Sequence, residues 1–277
     1  MLQATKQPSA KQPLEEQEGQ LKKRISYSEF KIWNDCSFKH KLTYIDNLSK
    51  FKGNEHTAFG KAVHSVCENL VVDKNTDTKQ EFKNNFREEL KRLRKNGDPL
   101  DKALVVEMLT QSENIFDKIL PILQSYFGNY TIFSIEELIF EDIEYFDTDF
   151  KFKGFIDLVI KTDDGKYHII DWKTCSWGWR AQKKSDPMVV YQLSLYKKFF
   201  SDKHNIPFDN IETHFVLLKR TAKKDNVEIF KVSNKQRRVS NALQSLEIAI
   251  ANIKAKNFIK NKLSCKYCEF KNTKHCP

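Results

Sequence analysis

No stretch of this 277-residue chain is long and apolar enough to span a bilayer as a helix, so a helical membrane protein is not expected. The first two dozen residues lack the apolar core of a secretory signal, and a soluble, intracellular (cytoplasmic) setting is expected. There is no Gly-rich phosphate-binding loop of the P-loop type, so no nucleotide-driven motor is expected within the chain. There is also no internal repeat, and no linker divides the middle. Cysteine is sparse, at six residues. In an intracellular chain of this size that points away from a disulfide framework and, where the thiols cluster, toward ligation of a metal or cluster.

What is present suffices for a core. The hydrophobic fraction is 40%, with 21 phenylalanines, which excludes global disorder. Residues 1–24 are the exception: rich in Gln, Lys and Glu and poor in apolar residues, they read as a disordered tail preceding a single domain over 25–277. The formal net charge is +10. A polyanionic partner is the natural inference, nucleic acid being the commonest, although many basic proteins bind none.

The first helix is expected over about 27–44. Ser26 and Glu29 have the spacing of a capping box, and Ile25 with Phe30 that of a hydrophobic staple. Further helices are expected over about 59–72, 79–95 and 100–126, with Pro121 set to kink the third. The pattern then changes to strands over 131–140, 150–160 and 167–174. A helix over 188–200, short strands over 213–219 and 227–232, and an amphipathic helix over 233–256 complete the pattern. Helices, then a mixed central sheet, then helices on its faces describe an α/β fold.

The chemistry concentrates in two of those strands. Gly154-Phe155-Ile156-Asp157 lies in one apolar run and Ile170-Asp171-Trp172-Lys173 in the next, joined by the turn Asp163-Asp164-Gly165. Both aspartates then sit on adjacent strands of one hairpin. Lys173, two residues beyond Asp171, faces the same way, because strand side chains alternate with period two. Two carboxylates and an ammonium converging on one point outline a metal-dependent phosphodiester-cleaving site. Mg²⁺ or Mn²⁺ takes oxygen ligands, which Asp157, Asp171 and the carbonyl of Trp172 would supply. Lys173 would orient the attacking water or stabilise transition-state charge. An Asp-x-Lys ending a strand in solvent is the plain alternative. Against it, both aspartates are embedded in apolar runs, where an unpaired charge is costly.

These motifs resemble the PD-(D/E)XK nuclease superfamily, in particular its RecB-like exonuclease branch, with a restriction-endonuclease-like core. That branch also carries a Gly-x-x-x-His element on an early helix, matched by Gly60 to His64, and a Gln-x-x-x-Tyr element, matched by Gln192 to Tyr196. Each motif is short; their order makes the likeness specific, and it spans most of the chain after the tail. The resemblance implies that His64 is a metal ligand and that Gln192 and Tyr196 line the active site. From the residues alone, His64 beside an apolar stripe would be a core histidine. Glu68, one turn beyond His64, and Glu137 are weaker candidates, expected to be structural.

Cys265, Cys268 and Cys276 place three thiols within twelve residues, and Cys36 fits as a fourth. Joining Cys36 to Cys265 would close a loop of about 230 residues, worth at most roughly 5 kcal/mol by chain entropy. Some RecB-like members, among them AddB-type helicase-nucleases, hold a [4Fe–4S] cluster with one early and three late cysteines, and the order here is similar. Zn²⁺ is the alternative, with His275 able to replace one sulfur. Cys67 is expected in the core and Cys175 outside the cluster.

Trp177, Trp179, Arg180, Lys183 and Lys184 follow Lys173 closely. Aromatics among cations suit base stacking and phosphate contact, or the tryptophans simply cover the sheet. Together these features imply a metal-dependent deoxyribonuclease, an exonuclease acting on DNA ends or single strands in replication, recombination or repair. Any helicase or recombination partner would be a separate chain. An inactive DNA-binding scaffold, a structure-specific endonuclease or cleavage of RNA are the rivals.

Overall fold

A computed structural model describes residues 23–277 except 50, 96, 98 and 144–148. Residues 1–22, most of the expected tail, lie outside the described residues. Lys23 and Arg24, read from sequence as its end, instead open strand β1 (Lys23–Ser26), which pairs in parallel with β3 (Phe150–Thr162). They are held because Ile25, fully buried, anchors this short strand in the core.

The expected first helix is broken. Helix α1 (Tyr27–Asp35) stops at Cys36, whose extended backbone (φ −166°) separates it from the short α2 (Ser37–His40) and a π-helical turn, Lys41–Ile45. The Cys36 thiol itself caps α2, accepting the Lys39 N–H at 3.4 Å. Ser26 caps α1 by accepting the Glu29 N–H, but the Glu29 carboxylate does not reach back; it meets His40 Nε2 at 2.8 Å. Half of the expected capping box therefore forms.

Helices α3 (Glu55–Val72), α4 (Thr78–Lys95) and α5 (Lys102–Phe127) form one layer. A full capping box between Asn54 and Thr57 starts α3, which is why it begins four residues before the expected position. Strands β2 (Tyr130–Asp142), β3 and β4 (Tyr167–Cys175) follow as an antiparallel meander. The turn between β3 and β4 needs Gly165 in the left-handed region (φ +82°). After α6 (Ala181–Ser185), helix α7 (Pro187–His204) crosses over to β5 (Ile211–Lys219), parallel to β4. Strand β6 (Val227–Val232) and helix α8 (Gln236–Lys254) complete the order. The result is a mixed central sheet flanked by helices.

Two cores follow from the two sheet faces. One packs α1, α7 and α8 around Phe30, Phe152, Phe199 and Leu246; the other packs α3, α4 and α5 around Phe59, Phe86, Ile119 and Trp172. Among the described residues no helix is long and apolar enough to cross a membrane.

One irregularity positions the chemistry. Along one edge β3 pairs with β2 throughout, but its other edge is divided: β1 covers Phe150 to Lys153 and β4 covers Leu158 to Lys161. Gly154 to Asp157 lie in the gap, where strands part and backbone no longer occupies the edge.

Candidate active site

Leu158 and Ile170 are the last paired residues of β3 and β4 before they diverge. Asp157 and Asp171 are the next opposed positions, so both carboxylates stand at the fork, Asp157 toward α3 and Asp171 toward α7. The Asp157 carboxylate accepts the Trp172 N–H at 2.8 Å, replacing a ladder bond with a side-chain one at the fork. Its other oxygen lies 3.6 Å from His64 Nδ1 on α3, an ion-pair contact too long for a hydrogen bond.

Asp171 is 2% exposed. One oxygen accepts from Gln192 Nε2 at 2.8 Å. The other is ion-paired with the Lys173 ammonium at 2.6 Å. Burial lifts this carboxyl to about 6; Lys173 and His64 pull it down and the Asp157 charge pushes it up. For His64, burial works against the charged form, but attraction to Asp157 and Asp171 outweighs it and raises the imidazole above its ordinary value.

Helix α7 supplies the back of the site. Gln192 and Tyr196, one turn apart, are both nearly buried and share a 3.3 Å contact. Tyr196 fits because β3 carries glycine at 154: a Cβ there would lie 2.7 Å from the Tyr196 ring. Gly60 similarly lets α3 approach β4, since its Cβ would lie 3.2 Å from the Thr174 hydroxyl. Both glycines thus bring helices onto the forked edge.

Two carboxylates, one of them buried, and an imidazole stand at the fork, a donor set of the kind a hard divalent cation takes, with ligand atoms that do not all lie within 4.8 Å of one another. His64, Asp157, Asp171, Lys173, Gln192 and Tyr196 are therefore brought together. Trp172 takes part through its backbone, its indole being fully buried.

Other residues are separated from the site. Glu137 turns away and pairs with Lys203 at 2.9 Å and with His204. Its neighbour Glu136, not singled out from sequence, stands opposite Asp157 on β2 in left-handed backbone (φ +46°). Burial, Glu136 and Asp157 together raise Glu68 to about 8. The positive φ of an acid in mid-strand leaves no local sequence signature.

Of the aromatic–basic segment, Trp177 is 73% exposed and Arg180 and Lys183 are exposed. The Trp179 ring packs on Phe215 and Phe230 at 5.2 and 6.0 Å, with Lys183 over its face. Lys184 is paired with Glu228. The Trp179 and Lys184 side chains are both partly buried against the aromatic surface of β5 and β6.

Cys36, Cys265, Cys268 and Cys276 line one cavity of about 330 Å³. All four are free thiols. Asn261 and Ser264 hydrogen-bond the Asp35 carbonyl at 2.9 and 2.7 Å, and the Asn261 N–H meets the Cys36 sulfur at 3.3 Å. His275 is exposed and does not line the cavity. Among the described residues no three of these sulfurs lie within 4.8 Å of one another. Cys67 is fully buried on α3, and Cys175 packs beside the other core.

A family model described as "PD-(D/E)XK nuclease superfamily" matches residues 24–275. No curated protein matches the chain in sequence. Among solved structures, a protein from Eubacterium rectale named "Putative exonuclease" is similar at 13% identity and a TM-score of 0.57, over 91% of this chain and 89% of that one. That likeness is one of fold. The structure of SSO0001, at 14% identity and 0.40 over 91% and 85% of the two chains, is too distant to argue from.

Proposed function

Because the chain belongs to the PD-(D/E)XK nuclease superfamily, we propose that it is a divalent-metal-dependent deoxyribonuclease, an exonuclease acting on DNA ends or single strands. The observation that carries this reading is the ion pair of buried Asp171 with Lys173 at the strand fork, with Asp157 and His64 beside it. Asp157, Asp171, His64 and the Trp172 carbonyl would hold Mg²⁺ or Mn²⁺. Such an ion offsets charge on the phosphate and makes hydroxide available at neutral pH.

The remaining roles belong to the chain itself. Lys173 lies beside the ligand oxygen and is partly exposed, so its ammonium can turn toward an incoming phosphate or water. Gln192 holds one Asp171 oxygen, and the other, paired with Lys173, is the one that would turn to the cation. Tyr196 supports Gln192, and neither needs to touch the substrate. Exposed Trp177, with Arg180 and Lys183, suits contact with an unpaired strand.

The four thiols are proposed to hold a [4Fe–4S] cluster. The reading rests on the order of one early and three late cysteines, all four lining one cavity; zinc is the alternative. The cluster would act as a clip between α1 and the segment after α8. The span of the family match, 24–275, supports treating 25–277 as one nuclease domain.

The test is digestion of end-labelled single- and double-stranded DNA with Mg²⁺ or Mn²⁺, beside closed circular DNA. Linear substrates should be degraded and the circle spared. Lys173→Ala should lose about 10²–10³-fold in rate while retaining DNA binding. Wild-type turnover by that variant, or an inert wild-type protein with either ion, would sink the reading. Cleavage of the circle would make it an endonuclease.

A further inference from the structure

Away from the fork, strands β4 and β5 build a second donor set that the nuclease chemistry does not use. His168 pairs with Glu212 in the parallel ladder, and His214 follows Glu212 by two residues. All three side chains therefore share one sheet face. His168 is three residues before Asp171, so it points to the opposite face from that carboxylate. The ends of α5 cover the spot: the Phe127 ring lies 5.0 Å from each imidazole and Tyr126 5.6 Å from His214.

The donor atoms converge. His168 Nδ1 is 3.1 Å from His214 Nε2, and Glu212 Oε2 is 3.7 and 3.9 Å from the two nitrogens. Among the described residues this is the one group of three His, Cys, Asp or Glu side chains whose ligand atoms all lie within 4.8 Å. A tetrahedral ion with bonds near 2.0–2.1 Å sets its ligand atoms about 3.4 Å apart, within the observed spread. A bond between the two imidazoles would satisfy one nitrogen of each but leave Glu212 Oε2 beyond hydrogen-bond range of either.

The surroundings prepare the three groups as ligands. The Thr162 hydroxyl is 2.5 Å from the Asp164 carboxylate and 3.0 Å from His168 Nε2. Because an ionised carboxylate only accepts, the hydroxyl proton goes to Asp164 and His168 Nε2–H donates to Thr162. That leaves the lone pair on Nδ1, facing His214 and Glu212, as a carboxylate-backed metal histidine requires. Lys231 and Lys166 both sit on the other Glu212 oxygen, at 2.7 and 3.3 Å. Although burial acts the other way, they keep Glu212 below its ordinary value and hence ionised. Burial, with His168 adding to it, lowers His214 to about 3, so its imidazole is neutral. A cavity of about 490 Å³, lined by Asp163, Asp164 and Asn129 among others, adjoins the three donors.

We propose that His168, Glu212 and His214 form a second metal site, for a borderline divalent ion such as Zn²⁺, with a fourth position open to this cavity. Two imidazoles and one carboxylate suit Zn²⁺ better than Mg²⁺, which prefers oxygen donors throughout.

The probe is Zn²⁺ itself, counted per chain by elemental mass spectrometry after equilibrium dialysis, with the cysteine-bound group in place. The His168→Asn/His214→Asn double variant should hold one Zn²⁺ fewer than wild type. The Asp157→Asn/Asp171→Asn variant should keep that ion. Equal counts in wild type and the double histidine variant would overturn the proposal. Should that variant fail to fold, imidazole ¹⁵N resonances of the wild type decide. On Zn²⁺ addition His168 Nδ1 and His214 Nε2 should move to ligated values, and unmoved resonances would overturn it.

Discussion

Gly154 allows an aromatic ring to lie where a side chain would otherwise stand. With Tyr196 only 2.7 Å from a Cβ built at this position, Gly154→Ala must push the Tyr196 ring, and with it the turn of α7 carrying Gln192. Overpacking of this kind costs about 1–3 kcal/mol. The variant should fold, show a lowered Tm, and lose rate through misplacement of Asp171. Unchanged turnover with a lowered Tm would show that Tyr196 serves packing alone. Glu68 supplies a pH signature. Its carboxyl is raised to about 8 in the folded protein against an ordinary 4.5. Between those values the folded state binds the extra proton, so its contribution to stability is full below about 4.5 and declines as pH rises through 8. In metal-free protein, Glu68→Gln should therefore raise Tm relative to wild type more at pH 9 than at pH 5. An equal difference at both pH values would refute the shift.

Helix α7 links packing to chemistry at the level of elements. Asp186 caps it by accepting the N–H of Met188 at 2.8 Å and of Val189 at 3.4 Å, with Pro187 at the first helical position. Loss of such a cap costs about 1 kcal/mol, and for a chain of this size about 2–4 °C in Tm. Asp186→Ala should show that drop together with a modest fall in cleavage rate, because the first turns of α7 carry Gln192. A lower Tm with full activity would mean the helix keeps its position without the cap. The hairpin of β3 and β4 was legible in sequence because two apolar runs and a Gly-containing turn are local signals. The broken first helix was not. Its apolar spacing runs through Cys36, and a thiol acting as a cap has no distinct pattern.

Across the whole molecule, hydrogen bonds beside the four cysteines tie α1 to the segment after α8. Contacts from Asp35 and Cys36 to Asn261 and Ser264 join parts of the chain more than 220 residues apart. A bound group adds to these contacts by favouring the folded state over the unfolded one. Anaerobically purified protein should be brown with about four irons per chain, and Cys36→Ser should lose iron and unfold at lower temperature. A colourless wild type with stoichiometric zinc would reassign the cavity.

Period-two alternation and a short turn were enough, from the order of residues alone, to set Asp157, Asp171 and Lys173 on adjacent strands of one hairpin. Three-dimensional packing was needed for everything that depends on partners distant in the chain. It decided that the sheet edge opens at Gly154, that Trp179 covers β5 and β6, and that Glu136 rather than Glu137 stands beside Asp157. It also decided that His168 meets Glu212 and His214 across a helical crossover. The reason is that strand alternation acts between near neighbours, whereas parallel pairing through α7 joins residues more than forty positions apart with no local trace.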